Sequence, residues 1–502
     1  MPVRFIIALF RFCAITMCVS IIGAILYNGF HPHSHPGIVT IVLIFLSVAL
    51  AIVLIRLPSK LTITKQTVFF LAATAFALRL FAIVSINNAQ VSDFKIFDEL
   101  AGALKHGHGF SYTDSAGLSE AALFLNKCDR HGPVHTAFRL PGFPIILALL
   151  YSITGDHAFF AKILNAILCV MIGFVLFLLV KTIDKTAAMI AMAFWLFYPG
   201  TIIASNLLCT EISFVLLSIS AAALAGYIPR IAGNGSFLFS FMAGLCAAMA
   251  ALIRPATHFI LCAFCVLPFV RVPLKIRPLL VIIFAAGLSG PLVIWGMRNA
   301  KTFGVFEMQT SEIGFNCFCL TKQLIKNETD PKLDSLMKII TTSTNEFTIA
   351  RTGKAIGMAR YRLALRKWWN LPKVFILNHL RSWRDDCDMI NYCKEGIPDS
   401  PRGSSGLANL LCSILAFLIR ITYLSLMLLA LAGSIRLPWK AFISQPGLMI
   451  LMLYFISSAL LIMLFEVNAR HHFPLLIMLC ILASFCRYDE KRFSSRRFGP
   501  QE

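Results

Sequence analysis

The residues best suited to chemistry in this chain are one acid, Asp93, and a set of cationic side chains at the ends of apolar runs. Arg139, Arg254, Arg298 and Arg470 stand there, joined by Glu211, Glu466, His471 and His472. Only 14% of the residues are charged, and an ionisable group beside a long apolar run is costly unless it has a task. Guanidinium forks make paired, charge-assisted hydrogen bonds to phosphate oxygens. Arg254, Arg298, Arg470 and His471 therefore read as binders of a phosphate group, with Arg139, Glu211 and Glu466 orienting the substrate. Asp93 reads as a general base. Phe97, Leu100 and Leu104 follow it on the same helical face, whereas Asp98 and Glu99 fall on others. The same spacing suits an acid that merely favours a helix N-terminus, with Ser92 as its cap.

The elements that must position these groups are membrane helices. The chain has 502 residues, 58% of them hydrophobic, with mean hydropathy +0.78, which excludes an ordinary water-soluble globule. Crossing the hydrocarbon core takes roughly 20 apolar residues. Runs of about that length lie near 5–27, 38–55, 67–86, 158–180, 186–203, 206–227, 237–253, 256–270, 278–296, 407–433, 446–465 and 472–486. The sequence thus predicts an all-α polytopic membrane protein of about 12 transmembrane helices. The shorter run 141–154 begins Pro141-Gly142-Phe143-Pro144 and suits a re-entrant or interfacial helix.

Forty-five Lys and Arg against 24 Asp and Glu give a net charge of +21, but no nucleic-acid-binding signature accompanies it. The excess is a sidedness signal. Short loops on one side carry Arg56, Lys60, Lys65, Lys181, Lys185, Arg271, Lys275 and Arg277, whereas those on the other hold only Arg254 and Arg470. Both termini are expected to be cytoplasmic, with the basic tail 487–502, and the polar segments 87–140 and 297–406 to lie opposite. The first apolar run is read as a retained anchor, since Arg11 interrupts it.

A helical pattern over 347–386 mixes Arg351, Lys354, Arg360 and Arg366 with Trp368, Trp369 and Trp383, so it is expected to lie at the membrane surface, divided near Pro372. Of 15 cysteines, most fall in apolar runs and read as small buried hydrophobes; Cys387 and Cys393 sit close enough in sequence for a disulfide in an oxidising compartment. No zinc-ligand spacing is present. Asn234-Gly235-Ser236 and Asn327-Glu328-Thr329 match a glycosylation sequon, a triplet common by chance.

In their order along the chain these motifs resemble the integral-membrane glycosyltransferases of the GT-C fold, especially bacterial relatives of the protein O-mannosyltransferases and the lipid A aminoarabinose transferases. Ser92-Asp93-Phe94 stands where that family has its first-loop acid, before a helix and the turn Gly107-His108-Gly109. Phe138-Arg139-Leu140-Pro141-Gly142-Phe143-Pro144 is similar to its Arg-Pro-Pro-Gly-Tyr-Pro. Thr210-Glu211, Leu252-Ile253-Arg254-Pro255, Trp295-Gly296-Met297-Arg298-Asn299 and Arg470-His471-His472-Phe473-Pro474 follow in the family's order. Phe94 replaces a second acid and Phe143 a tyrosine.

The resemblance covers about 67–486 and leaves 1–66, two further N-terminal helices, outside it. It implies that a sugar moves from a polyprenyl-phosphate-type lipid donor to an envelope glycan, lipid or protein acceptor on the periplasmic side of a bacterial inner membrane. It implies inversion at the anomeric carbon, with Asp93 as base. No cofactor is required, although a divalent cation is compatible with the family pattern. Two other readings stay open at this stage: a flippase or transporter for a lipid-linked saccharide, and an O-antigen ligase or polymerase.

Overall fold

A computed structural model describes residues 2–30, 37–56, 64–112, 134–231, 234–255, 257–321, 335–339, 346–366, 368–384, 386–398, 404–465 and 469–488. Its helices are α1 Pro2–Phe30, α2 Gly37–Arg56, α3 Lys65–Ile86, α4 Asp93–Lys105, α5 Gly142–Thr154, α6 Ala158–Val180, α7 Lys185–Phe197, α8 Pro199–Ala204, α9 Thr210–Tyr227 and α10 Asn234–Ala251. They continue as α11 Thr257–Val266, α12 Arg277–Phe303, α13 Glu312–Leu320, α14 Glu346–Arg366, α15 Leu371–Ser382, α16 Asp388–Glu395, α17 Ser404–Arg436, α18 Trp439–Ile443, α19 Pro446–Phe465 and α20 Leu476–Ser484. Sheet among the described residues is confined to the two-residue strands β1 Ser111–Tyr112 and β2 Val134–His135, paired antiparallel.

This is a multi-pass, all-helical membrane protein. Among the described residues, seven helices are long and apolar enough to cross a bilayer, and five shorter apolar helices accompany them. Several expected spans are shortened, and the breaks fall largely at prolines. The run 186–203 divides at Pro199, 256–270 ends in a 3-10 turn around Pro268, and 472–486 begins with a 3-10 turn containing Pro474. The run 141–154 is the short helix α5, with Pro141 ahead of it.

Helices approach closely where small residues line the seam. A Cβ on Gly244 would stand 2.0 Å from the Phe284 carbonyl oxygen, and one on Gly287 2.2 Å from that of Phe241, so α10 and α12 touch backbone to backbone. α1 and α2 pack on α17, so these two N-terminal helices join the same bundle.

Buried cations inside the bundle are tied to the protein's own acceptors. Arg79 donates to the Leu196 carbonyl at 2.9 Å and to Thr201 Oγ1 at 3.0 Å; Lys162 donates to the Asn88 carbonyl at 2.7 Å. Cys387 and Cys393 are free thiols buried in the core.

The surface-helix expectation for 347–386 divides. α14 and α15 form with Pro372 at the start of the second, and Trp368 and Trp369 are exposed. Trp383 is instead fully buried and stacked on His472, with centroids 5.1 Å apart. The indole fills core volume there and is not a headgroup anchor.

Candidate functional site

Three chain breaks from helical geometry converge on one place. Ser92, at φ +52°, holds a backbone conformation that L-residues rarely adopt, and α4 starts immediately after it with Asp93. Pro141-Gly142 packs against the end of α10: the Gly142 N–H donates to the Leu252 carbonyl at 2.8 Å, and a Cβ on Gly142 would meet that same oxygen at 2.8 Å. This close approach places the Arg139 segment beside Arg254. The 3-10 turn Ala469–Leu475 carries Arg470.

Asp93 accepts from two guanidinium groups. Arg139 Nη2 bonds Oδ1, and Arg470 Nη2 bonds Oδ2 at 2.6 Å. Arg139 also donates to Glu312 Oε1 at 2.7 Å. Glu211, at 1% side-chain exposure, accepts from Arg254 Nη1 at 2.6 Å and lies 3.1 Å from Arg470 Nε. Burial opposes the charge of Arg470, but Glu211 and Asp93 outweigh it and raise its pKa above the ordinary guanidinium value. Phe94 lies under the Arg470 guanidinium at 5.4 Å. The Arg470 N–H donates to Asp388 Oδ2 at 3.2 Å, which ties its turn to α16.

The web edges a cavity of about 450 Å³. Asp93, Arg139, Thr210, Arg254, Glu312 and Arg470 form its polar end, and Phe214, Ile253, Ile313, Tyr454, Leu461 and Ile462 contribute apolar wall. Near the start of α11, the His258 ring stacks on Tyr454 and its Nε2 lies 2.8 Å from Ser458 Oγ. Such a chamber fits an amphiphile with an anionic head and a hydrocarbon body.

Of the residues singled out by sequence, Asp93, Arg139, Glu211, Arg254 and Arg470 are brought together. Arg298 is not. Its Nη1 donates to the Thr136 carbonyl at 2.8 Å and its Nη2 to the Phe110 carbonyl at 3.0 Å, while Trp295 and Phe303 flank its guanidinium. Its fork is committed to these carbonyls and to Asn299 Oδ1, so it clamps the first polar segment and lies outside the cavity wall.

His472, grouped with the cations by sequence, is fully buried between Trp383 and Tyr423, with Nε2 3.1 Å from Asp386 Oδ1 and Nδ1 2.8 Å from the Ser382 carbonyl. It braces the Arg470 turn from behind. Glu466 and the side chain of His471 lie outside the described residues.

Two acids escaped the sequence reading. Glu312 caps the far side of Arg139, and Glu346 is buried beside the Arg139 segment. Both sit in a polar stretch crowded with charges, where neither spacing nor hydropathy distinguishes them. Among the described residues no three His, Cys, Asp or Glu side chains are grouped to hold a metal ion, and Asp93, Glu211 and Glu312 are each paired with a guanidinium.

No family model matches the chain, and no curated protein matches it. Among solved structures it is similar to the crystal structure of ArnT from Cupriavidus metallidurans in the apo state, at 12% identity and TM-score 0.39, over 84% of this chain and 77% of that one. It is also similar to the same protein bound to undecaprenyl phosphate, at 10% identity and TM-score 0.39, over 85% of this chain and 78% of the other.

Proposed function

We propose that this chain is an inverting glycosyltransferase that moves a sugar from a polyprenyl-phosphate-type lipid to an acceptor hydroxyl. One observation carries the reading: Asp93, held between Arg139 and Arg470, sits at the polar end of a largely apolar-walled cavity that also presents Arg254. A donor phosphate entering that end competes with Asp93 for the guanidinium forks. Once Arg470 and Arg254 turn to the phosphate, an Asp93 oxygen is released to accept a proton.

The acceptor oxygen then attacks the anomeric carbon and loses its proton to Asp93. The bond from that carbon to the phosphate oxygen breaks, and the lipid phosphate departs with the electron pair. Arginines placed in advance stabilise the charge that develops on the leaving group. Attack opposite the departing oxygen inverts the anomeric centre. No step is routed through a metal ion; Asp93, Glu211 and Glu312 are each paired with a guanidinium before the donor enters.

In this reading the termini are cytoplasmic, the cavity opens on the periplasmic side of a bacterial inner membrane, and the acceptor is an envelope glycan, lipid or protein. Residues 67–486 form the catalytic unit, residues 1–66 and 487–502 being additions to it. Buried Arg79 and Lys162 favour an enzyme over a flippase, since each is tied to backbone oxygens.

The test is mass spectrometry of envelope lipids and glycans from cells lacking the gene, complemented with wild type or Asp93→Asn. The expected result is one sugar-sized mass loss that wild type restores and Asp93→Asn does not. Restoration by Asp93→Asn ends the proposal.

A further inference from the structure

We propose that Glu346 is a positioning residue for this site: its carboxyl group docks the α13–α14 helix pair onto the irregular segment 136–139 that follows β2, and so sets Glu312 against Arg139 and Arg139 against Asp93. The inference rests on the donor-binding reading of the cavity and adds a residue that does not line it.

The geometry begins with the helix pair. α13 and α14 meet through Gly314, Gly353 and Gly357. A Cβ on Gly314 would lie 2.1 Å from the Ala350 carbonyl oxygen, one on Gly353 2.5 Å from that of Gly314, and one on Gly357 2.8 Å from that of Cys317. Backbones in such contact pack as one body. The body brings Glu312, Ile313, Asn316 and Cys317 to the cavity wall, and Glu346 stands in its first α14 turn.

Glu346 is 4% exposed, and its described acceptor bonds all go to residues flanking the site. Oε1 accepts the Ala137 N–H at 3.0 Å, Oε2 accepts Thr136 Oγ1 at 3.2 Å, and Ser311 Oγ bonds Oε1. The join is doubled beside it: the Ser311 N–H donates to the Ala137 carbonyl at 3.1 Å, and Thr310 Oγ1 bonds the Phe138 carbonyl. Arg298 holds the same segment through the Thr136 carbonyl. Arg139 follows two residues after Ala137, and Glu312 one residue after Ser311.

A carboxyl group this deep costs free energy that an apolar side chain of similar size would not. Burial pushes the Glu346 pKa up, against the pull of its three donors and Arg298. Packing alone gives no reason for an acid here. What the acid supplies is a set of acceptors for an N–H and two hydroxyls in irregular backbone, and those groups fix the approach of Arg139 to Asp93.

The experiment uses full-length protein in detergent micelles with undecaprenyl phosphate as probe, measuring affinity and thermal stability. Glu346→Leu is expected to weaken probe binding by roughly tenfold, the scale of a lost buried acceptor. Glu346→Gln keeps an oxygen for the Ala137 N–H and restores most of that loss. In an Arg139→Ala background, Glu346→Leu adds nothing further, because its effect runs through Arg139.

Additive losses, or wild-type affinity in Glu346→Leu, overturn the inference. Should Glu346→Leu fail to fold, Ser311→Ala removes one of the three contacts, and its smaller loss must likewise vanish with Arg139→Ala. Failure of the donor reading has a separate signature, wild-type protein that does not bind the probe. In that case amide exchange at Phe138 and Arg139 still decides: faster in Glu346→Leu or Ser311→Ala and unchanged in Glu346→Gln supports the positioning role, and no difference removes it.

Discussion

Asp93 and Arg470 stand 377 positions apart in the chain and meet through a 2.6 Å bond between Oδ2 and Nη2. That contact closes the bundle on itself: α4, which follows the third helix, is joined to the turn before the last. It also puts the proposed base in the hands of a cation that a donor phosphate would take away.

Asp93→Asn tests the base directly. The amide keeps the size of the side chain and one acceptor oxygen, so the fold is expected to persist. Loss of proton transfer is expected to lower turnover by about 10²–10⁴-fold. Thermal stability measured on the same preparation separates this outcome from unfolding. Turnover within a few-fold of wild type removes Asp93 from the chemistry.

Arg470→Ala carries a different signature. It strips one guanidinium partner from Asp93 and one from Glu211, leaving Arg254 as the guanidinium paired with Glu211. Breaking a buried pair from one side costs on the order of 3–5 kcal/mol, so a marked fall in thermal stability is expected together with loss of undecaprenyl phosphate binding. Arg470→Lys restores the charge without the fork that spans Asp93 and Glu211. It is expected to recover stability in part and binding hardly at all; full recovery of both shows that charge alone is what matters.

The elements were more legible in the sequence than their joins. Long apolar runs dictated a helical membrane bundle, and scarcity of charge drew attention to Asp93, Arg139, Glu211, Arg254 and Arg470, which the fold gathers. Arg298 carried the same signal for another reason, since a guanidinium that ties down two carbonyls reads like one that awaits a phosphate. His472 misled similarly: beside Arg470 in sequence, it turns inward to Asp386. Glu312 and Glu346 were invisible because their meaning comes from the 136–139 segment, some 170 to 210 positions away. The breaks at Pro199, Pro268 and Pro474 were there to be read, but hydropathy averages over them.

Arg298→Ala should therefore behave as a structural variant. The Thr136 and Phe110 carbonyls lose charge-assisted donors, and a loss of about 1–3 kcal/mol in stability is expected. Among folded molecules the affinity for undecaprenyl phosphate should change little more than a loosened Arg139 segment allows, and its salt dependence should match wild type. A tenfold fall in affinity with unchanged stability would return Arg298 to the phosphate site.

Ser92 offers the last test, through the backbone. Its φ of +52° turns the chain so that Asp93 opens α4 facing the cavity. Glycine adopts that conformation without a Cβ penalty, so Ser92→Gly should hold or slightly raise thermal stability. A β-branched residue resists it, and Ser92→Val is expected to lose about 1–3 kcal/mol. The two variants also separate strain from function. If the turn matters because it aims Asp93, Ser92→Val should lose turnover beyond what its folded fraction explains, whereas Ser92→Gly should keep it. Equal stability in both variants shows that position 92 adopts another backbone conformation, and the route by which Asp93 reaches Arg139 and Arg470 would then need a different account.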